Sequence, residues 1–216
     1  MTQRRAVLAA LLCGALSPAV YVAADLAAAG RYPGYSATDQ AVSELFAIGA
    51  PTSGLVVALF NVSSALLLVF AGGVWRRAGR DRRLRQLAVV FGAGAVEALV
   101  LWNGFPMHRR GGPHTATDTM HLLLAANPFV PLGMIVGASA FRGWFRTYTL
   151  GTLVLLLVLA AFAFSYAPAL AANEPTPWLG LAERVGQYGY GVWEAVLAAV
   201  LWRTAGRPLE GGRPAS

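Results

Sequence analysis

Residues 55–75 read LVVALFNVSSALLLVFAGGVW, without a charged side chain, and residues 76–85 that follow read RRAGRDRRLR. A helix of about 20 apolar residues is long enough to cross the hydrocarbon core of a bilayer. Arginine and lysine concentrate in the cytoplasmic loops of membrane proteins. This stretch therefore predicts a transmembrane helix whose carboxyl end, with its cluster of arginines, faces the cytoplasm.

Five further apolar segments accompany this span, over residues 1–28, 87–105, 119–141, 148–167 and 183–202. The first continues beyond the ~7 to 15 apolar residues of a signal peptide, which favours a transmembrane helix over a cleaved leader. We predict an all-α protein, a six-helix transmembrane bundle that forms a single domain over residues 1–205. Residues 206–216, rich in Gly, Pro and Arg, are expected to be a disordered cytoplasmic tail.

The chain is both apolar and basic. Hydrophobic residues make up 56% of it and charged residues 12%, about half of the charged share usual in soluble domains. All 17 basic residues are Arg; the six predicted spans put 13 of them on the side of the 76–85 loop and 4 on the other side. This distribution is typical of membrane topology and not of a groove for phosphates. We therefore expect no nucleic-acid partner and place both termini in the cytoplasm, with the bundle in the cell (inner) membrane.

All three histidines lie in one stretch, where residues 108–121 read HRRGGPHTATDTMH. Pro113 suits the first turn of a helix, and a helix that begins there places His114, Asp118 and His121 on one face. That face should point into the bundle, because ionisable groups are costly against lipid. The stretch therefore predicts a polar site at the extracytoplasmic end of the bundle.

Imidazole and carboxylate ligands are typical of zinc and non-haem iron centres. We expect a divalent metal, zinc or iron, at His108, Asp118 and His121. A water on this metal would be the nucleophile of a catalytic site, with Glu44 or His114 as the proton carrier. The alternative is that these polar residues only cap a helix and tie loops together.

The same stretch also permits an anion site. Free N–H groups at the start of a helix, together with Arg109 and Arg110, form a cradle suited to phosphate or pyrophosphate. We therefore keep these two arginines as candidate cofactor-binding residues.

Two carboxylates lie near the middle of predicted spans, Glu97 in the third and Glu194 in the sixth. A charge at this depth is expensive and is usually paired or functional. Membrane terpene cyclases use such buried acids to start a cation cascade, so Glu97 and Glu194 are candidate catalytic acids. A role as buried hydrogen-bond partners fits them equally well.

Two motifs give the sequence a recognisable pattern. Tyr35-Ser36 precedes Ala41-Val42-Ser43-Glu44-Leu45 in the first loop, and Phe105-Pro106-Met107-His108 precedes His114, Asp118 and His121. The pattern resembles the multi-pass prokaryotic membrane family catalogued as domain of unknown function 998, over nearly the whole chain. The resemblance implies a helical membrane bundle with its polar signature on one face, at Ser43, Glu44, His108, Asp118 and His121. It implies no established reaction.

Three functional hypotheses follow. The first is a metal-dependent membrane enzyme, such as a hydrolase, that acts on a lipid or isoprenoid substrate. The second is a non-catalytic structural or assembly protein of the membrane, whose polar cluster ties the first loop to the third. The third is an acid-initiated membrane terpene cyclase built around Glu97 and Glu194. Membrane lipids are the expected partners in each case.

Overall fold

The computed structural model describes residues 2–205, which fold into eight α-helices and one short 3₁₀ helix. The helices are α1 (Thr2–Ala29), the 3₁₀ helix (Val42–Phe46), α2 (Ser53–Ala78), α3 (Arg82–Gly104), α4 (Ala116–Ala125), α5 (Phe129–Ala140), α6 (Trp144–Ser165), α7 (Ala167–Ala171) and α8 (Leu179–Arg203). The described residues contain no β-strand, so the predicted all-α class is confirmed. The predicted tail at residues 206–216 lies outside the described residues.

Five segments are long and apolar enough to cross a membrane, over residues 3–29, 53–78, 82–104, 116–140 and 144–171. They match the first five predicted spans. The sixth predicted span, residues 183–202, lies within α8, which is helical but does not join this set. Glu183, Arg184 and Glu194 make α8 more polar than its neighbours. The predicted count of six spans is therefore not confirmed.

The fourth span is broken into α4 and α5 at residues 126–128. Pro128 lacks a backbone N–H and disfavours helical geometry in the residue before it. Asn127 accepts a hydrogen bond from the Phe129 backbone N–H at 3.0 Å, which stabilises the start of α5. The break therefore divides this span into two shorter helices.

The predicted helix start at Pro113 is wrong, because α4 begins at Ala116. The Asp118 carboxylate accepts a hydrogen bond from the Thr115 backbone N–H at 2.8 Å, and this local bond fixes the first turn. His114 therefore precedes the helix and does not share a helical face with Asp118 and His121.

Small residues allow α1 to pack closely against α2 and α8. A Cβ atom on Gly73 would lie 2.9 Å from the Ala10 Cβ, and one on Gly191 would lie 2.7 Å from the Pro18 Cβ. On its other side α8 packs against α6 and buries Trp193 completely. These contacts place α8 between α1 and α6, despite its polar residues.

Two ends of the bundle differ in character. One end, which we call the loop end, holds residues 30–52, 105–115 and 172–178. Hydrogen bonds join these loops; for example, the Ile48 N–H donates to the Met107 carbonyl at 2.8 Å. The arginines of residues 76–85 lie at the opposite end, where Arg77 donates to the Thr204 carbonyl at 2.7 Å. The candidate site lies at the loop end.

Candidate functional site

A cavity of about 870 Å³ opens between the helices and extends to the loop end. Ligand sites in proteins are typically about 300–1,000 Å³ and mostly apolar, with a few polar groups. The walls here are apolar side chains such as Phe60, Phe91 and Leu156. The polar lining includes all three histidines and Asp118, so the structure brings the histidine stretch to one surface.

His108 and Asp118 form a hydrogen-bonded pair in this lining. His108 Nδ1 lies 2.9 Å from Asp118 Oδ2, and the His108 backbone N–H donates to Oδ1 at 2.7 Å. The Thr115 backbone N–H and hydroxyl also donate to Oδ2, each at 2.8 Å. The two backbone N–H groups can only donate, and they occupy both oxygens of the carboxylate as acceptors. We therefore assign an ionised Asp118 and the proton of the His108 ring to Nδ1. His108 Nε2 is then the ring atom left to contact a ligand.

His121 lines the same cavity but is only 3% exposed. Its Nδ1 lies 3.0 Å from the Phe105 carbonyl oxygen, which can only accept, so Nδ1 is the donor. Its Nε2 has no hydrogen-bond partner among residues 2–205. The ring packs against Trp102, with ring centres 4.8 Å apart, and against Phe46 at 5.9 Å. A buried acceptor left without a donor costs about 1–3 kcal/mol.

The predicted metal centre is not supported by this geometry. Within residues 2–205 no three His, Cys, Asp or Glu side chains lie close enough together to hold a metal ion. Four hydrogen bonds already occupy the Asp118 oxygens, and His121 directs Nδ1 to a carbonyl. His108, Asp118 and His121 thus do not fit a zinc or iron site as they stand.

Glu44, a candidate proton carrier, instead forms an ion pair with Arg110. Arg110 Nη2 lies 2.8 Å from Glu44 Oε1 and its Nε lies 3.2 Å from Oε2. Arg110 also donates to the Glu174 carbonyl at 2.8 Å and to the Thr176 hydroxyl at 2.9 Å. Glu44 is 3% exposed. The pair therefore joins three loops and fits a structural role better than proton transfer.

Arg109 is the member of the predicted anion cradle that remains available. Its guanidinium lies 5.9 Å from the centre of the Tyr32 ring. Its side chain makes no hydrogen bond or ion pair within residues 2–205, although its backbone carbonyl accepts one from the Gly112 N–H. It lines both the large cavity and a polar pocket of about 160 Å³ that it shares with Tyr32, Gln40, Glu44 and Arg110. One free guanidinium, and not two, could therefore meet an anion.

The two candidate acids lie in different surroundings. Glu194 is buried and lines the cavity, and its Oε1 has no hydrogen-bond partner among residues 2–205. Glu97 accepts a hydrogen bond from the Trp102 indole N–H at 3.1 Å and does not belong to the described cavity lining. The structure therefore does not bring Glu97 and Glu194 to one surface.

Sequence reasoning missed the most buried ion pair at the loop end. Arg184 donates to both oxygens of Asp25, at 2.7 and 2.9 Å, and Asp25 is fully buried. Asp25 lies within α1, which continues to Ala29. The signal available was two opposite charges inside apolar segments, each of which needs a partner.

Tyr35 completes this pair from the first loop. Its hydroxyl accepts a hydrogen bond from Arg184 at 2.9 Å and donates to the Ala41 carbonyl at 2.9 Å. Burial raises the pKa of the Tyr35 hydroxyl above its usual range, although the Arg184 guanidinium opposes the shift. The hydroxyl therefore stays protonated and holds the first loop against α8.

One comparison with known proteins gives a match. The family model described as "Protein of unknown function (DUF998)" matches residues 15–200, which include every residue of the site described above. No curated protein and no solved structure is significantly similar to the chain. The chain belongs to the DUF998 family, as its two sequence motifs indicated.

Proposed function

We propose that this protein binds a lipid-like or isoprenoid molecule inside its helical bundle, in the cell membrane. The observation that carries the proposal is the cavity of about 870 Å³, with apolar walls and histidines at its loop end. Such a space suits an amphipathic molecule, because the apolar chain contacts the walls and the polar head reaches the histidines. Membrane lipids surround the bundle and supply ligands of this kind.

The polar end of the cavity sets what chemistry is available. The His108 side chain is 26% exposed, and its Nδ1 is hydrogen-bonded to the Asp118 carboxylate. Its Nε2 can therefore contact a ligand while the carboxylate holds the ring in place. A carboxylate in this position orients an imidazole and fixes its tautomer. If the protein is an enzyme, we therefore assign to His108 the transfer of a proton to or from the headgroup of the ligand. This role replaces the metal-bound water expected from the sequence.

A second candidate function is favoured by Glu194. This carboxyl lines the cavity, is buried, and has an oxygen without a partner among the described residues. A buried carboxylic acid tends to stay protonated in such surroundings, as an acid that starts a cyclisation requires. Aromatic rings of Phe60, Phe91 and Tyr190 line the same cavity and would stabilise a carbocation. The cyclase reading now depends on Glu194 alone.

A cavity-filling substitution tests the binding proposal. Gly186 lines the cavity, and a Cβ atom there meets no atom within 4 Å, so Gly186→Phe fills the cavity without a backbone clash. Gly72 in α2 is exposed, has equal room and does not line the cavity, which makes Gly72→Phe the matched control. Both variants add a helix-compatible residue in place of glycine.

The readout is mass spectrometry of the lipids that copurify with each variant in detergent. We expect one lipid class to be enriched with the wild type and with Gly72→Phe, and to be lost from Gly186→Phe while its melting temperature persists. Equal lipid content in all three proteins would refute the proposal. That result would favour the hypothesis of a non-catalytic structural protein, in which the polar residues only join loops.

A further inference from the structure

We propose that the molecule bound in the cavity carries an uncharged hydroxyl headgroup, which donates a hydrogen bond to His108 Nε2. This inference rests on the proposed binding function and specifies the class of ligand as a long-chain or isoprenoid alcohol. It follows from the hydrogen-bonding capacity that the cavity leaves unused and from the charges that line it.

His108 offers an acceptor because its other nitrogen is committed. Nδ1 donates to Asp118 Oδ2 at 2.9 Å, and the neighbouring backbone N–H of His108 fixes the carboxylate through Oδ1 at 2.7 Å. In the neutral imidazole the lone pair then resides on Nε2. Hydroxyl groups can donate to this lone pair, whereas carboxylate and fully ionised phosphate groups cannot.

His121 adds a second acceptor to the same lining. Its Nδ1 is committed to the Phe105 carbonyl, and its Nε2 has no hydrogen-bond partner among residues 2–205. Two imidazoles of one cavity thus have their donor nitrogens occupied and their acceptor nitrogens unused. A headgroup that contacts His108 Nε2 must therefore supply a donor.

The Asp118 carboxylate next to His108 opposes an anionic headgroup. It lies in the cavity lining, which also includes Arg109 and Arg110. Arg110 is already neutralised by Glu44 at 2.8 Å. A phosphate or carboxylate next to Asp118 would meet a like charge, which is destabilising at close range in a medium of low dielectric constant.

Competition binding with matched headgroups tests the inference. Tritiated farnesol is bound to detergent-purified protein and displaced with unlabelled farnesol, farnesoic acid, farnesyl monophosphate or pentadecan-1-ol. We expect farnesol to compete at least tenfold better than the acid and the phosphate. Pentadecan-1-ol carries the same hydroxyl group on a straight chain, so its affinity relative to farnesol shows which kind of alcohol the walls prefer.

Variants assign the effect to His108. His108→Phe removes the acceptor and should weaken farnesol binding about tenfold, the effect of one lost hydrogen bond. Asp118→Asn should also weaken it, because the carboxylate no longer fixes the tautomer of the ring. Gly72→Phe, the control outside the cavity lining, should leave farnesol binding unchanged. Melting temperatures identify any variant that fails to fold, and the remaining variants then decide.

The outcomes separate the two proposals. If farnesyl monophosphate binds more tightly than farnesol and Arg109→Gln abolishes that preference, the ligand is an anion and the hydroxyl inference is wrong. Farnesol binding that is unaffected by both His108→Phe and Asp118→Asn also overturns it. If unlabelled farnesol does not displace the label, and Gly186→Phe retains as much label as the wild type, the binding function itself fails.

Discussion

Replacing Arg184 by Met should destabilise the protein more than any single change at an exposed arginine. The guanidinium makes two hydrogen bonds to Asp25 and one each to the Tyr35 hydroxyl and the Ala37 and Gly180 carbonyls. Asp25 is 0% exposed and Arg184 is 6% exposed. Removal of one partner from a buried ion pair leaves an uncompensated charge and costs about 3–5 kcal/mol. Met retains the packing of the aliphatic stem, so the loss reflects the charge and its hydrogen bonds.

The free energy of unfolding is measured by titration of the detergent-solubilised protein with sodium dodecyl sulfate, followed by circular dichroism. Arg184→Lys should lose an intermediate amount, because an ammonium group cannot reproduce the bidentate geometry of the guanidinium. The double variant Asp25→Asn with Arg184→Met should recover part of the loss, since no buried charge is left unpaired. A loss below about 1 kcal/mol, the range of an exposed ion pair, would refute the assignment of this pair as a buried support of the loop end.

Three further predictions concern other parts of the bundle. Gly191→Ala should destabilise the protein by about 1–3 kcal/mol, because the added Cβ would lie 2.7 Å from the Cβ of Pro18. An unchanged dodecyl sulfate titration would contradict the close contact of α1 with α8. Glu194→Met should stabilise the protein by about 1 kcal/mol in the same titration, since it removes a buried oxygen without a partner among residues 2–205. A destabilised variant would contradict this and indicate that the oxygen makes a hydrogen bond. In a cysteine-free background, a cysteine at Thr38 should react with an impermeant maleimide added outside cells and one at Arg80 should not, and the reverse pattern would invert the predicted orientation.

The spans were predictable because they depend on local composition. Long runs of apolar residues indicate helices that can cross a membrane. The first five predicted spans match the five helical segments of the structure that are long and apolar enough to do so. The clustering of all three histidines around one cavity also followed from their proximity in the sequence. The dipeptide Asn127-Pro128 carried the signal for the break between α4 and α5, but the length of the apolar run masked it.

The hydrogen bonds of the loop end were not predictable in the same way. Asp118 was expected to bind a metal, but its side chain forms hydrogen bonds with Thr115 and His108. The bond with Thr115 stabilises a helix that begins at Ala116 and not at Pro113. Competition between local side-chain bonds decides such a detail, and sequence spacing does not reveal the winner. Asp25 and Arg184 are 159 residues apart, so no periodicity connects them. Only the packing of α8 against α1 brings them together.

The central claim is that a ligand occupies the interior of the bundle, and photo-crosslinking tests it most directly. A farnesol analogue with a diazirine on its chain is bound to the protein in nanodiscs, irradiated, and its adducts are mapped by mass spectrometry. On α6, Leu153 and Leu156 line the cavity and are each 8% exposed, whereas Val154 and Val158 face outward and are each 62% exposed. We predict adducts on Leu153 and Leu156 that an excess of unlabelled farnesol suppresses. Adducts confined to Val154 and Val158, and insensitive to competitor, would show that the molecule only bathes the outside of the bundle and would contradict the account.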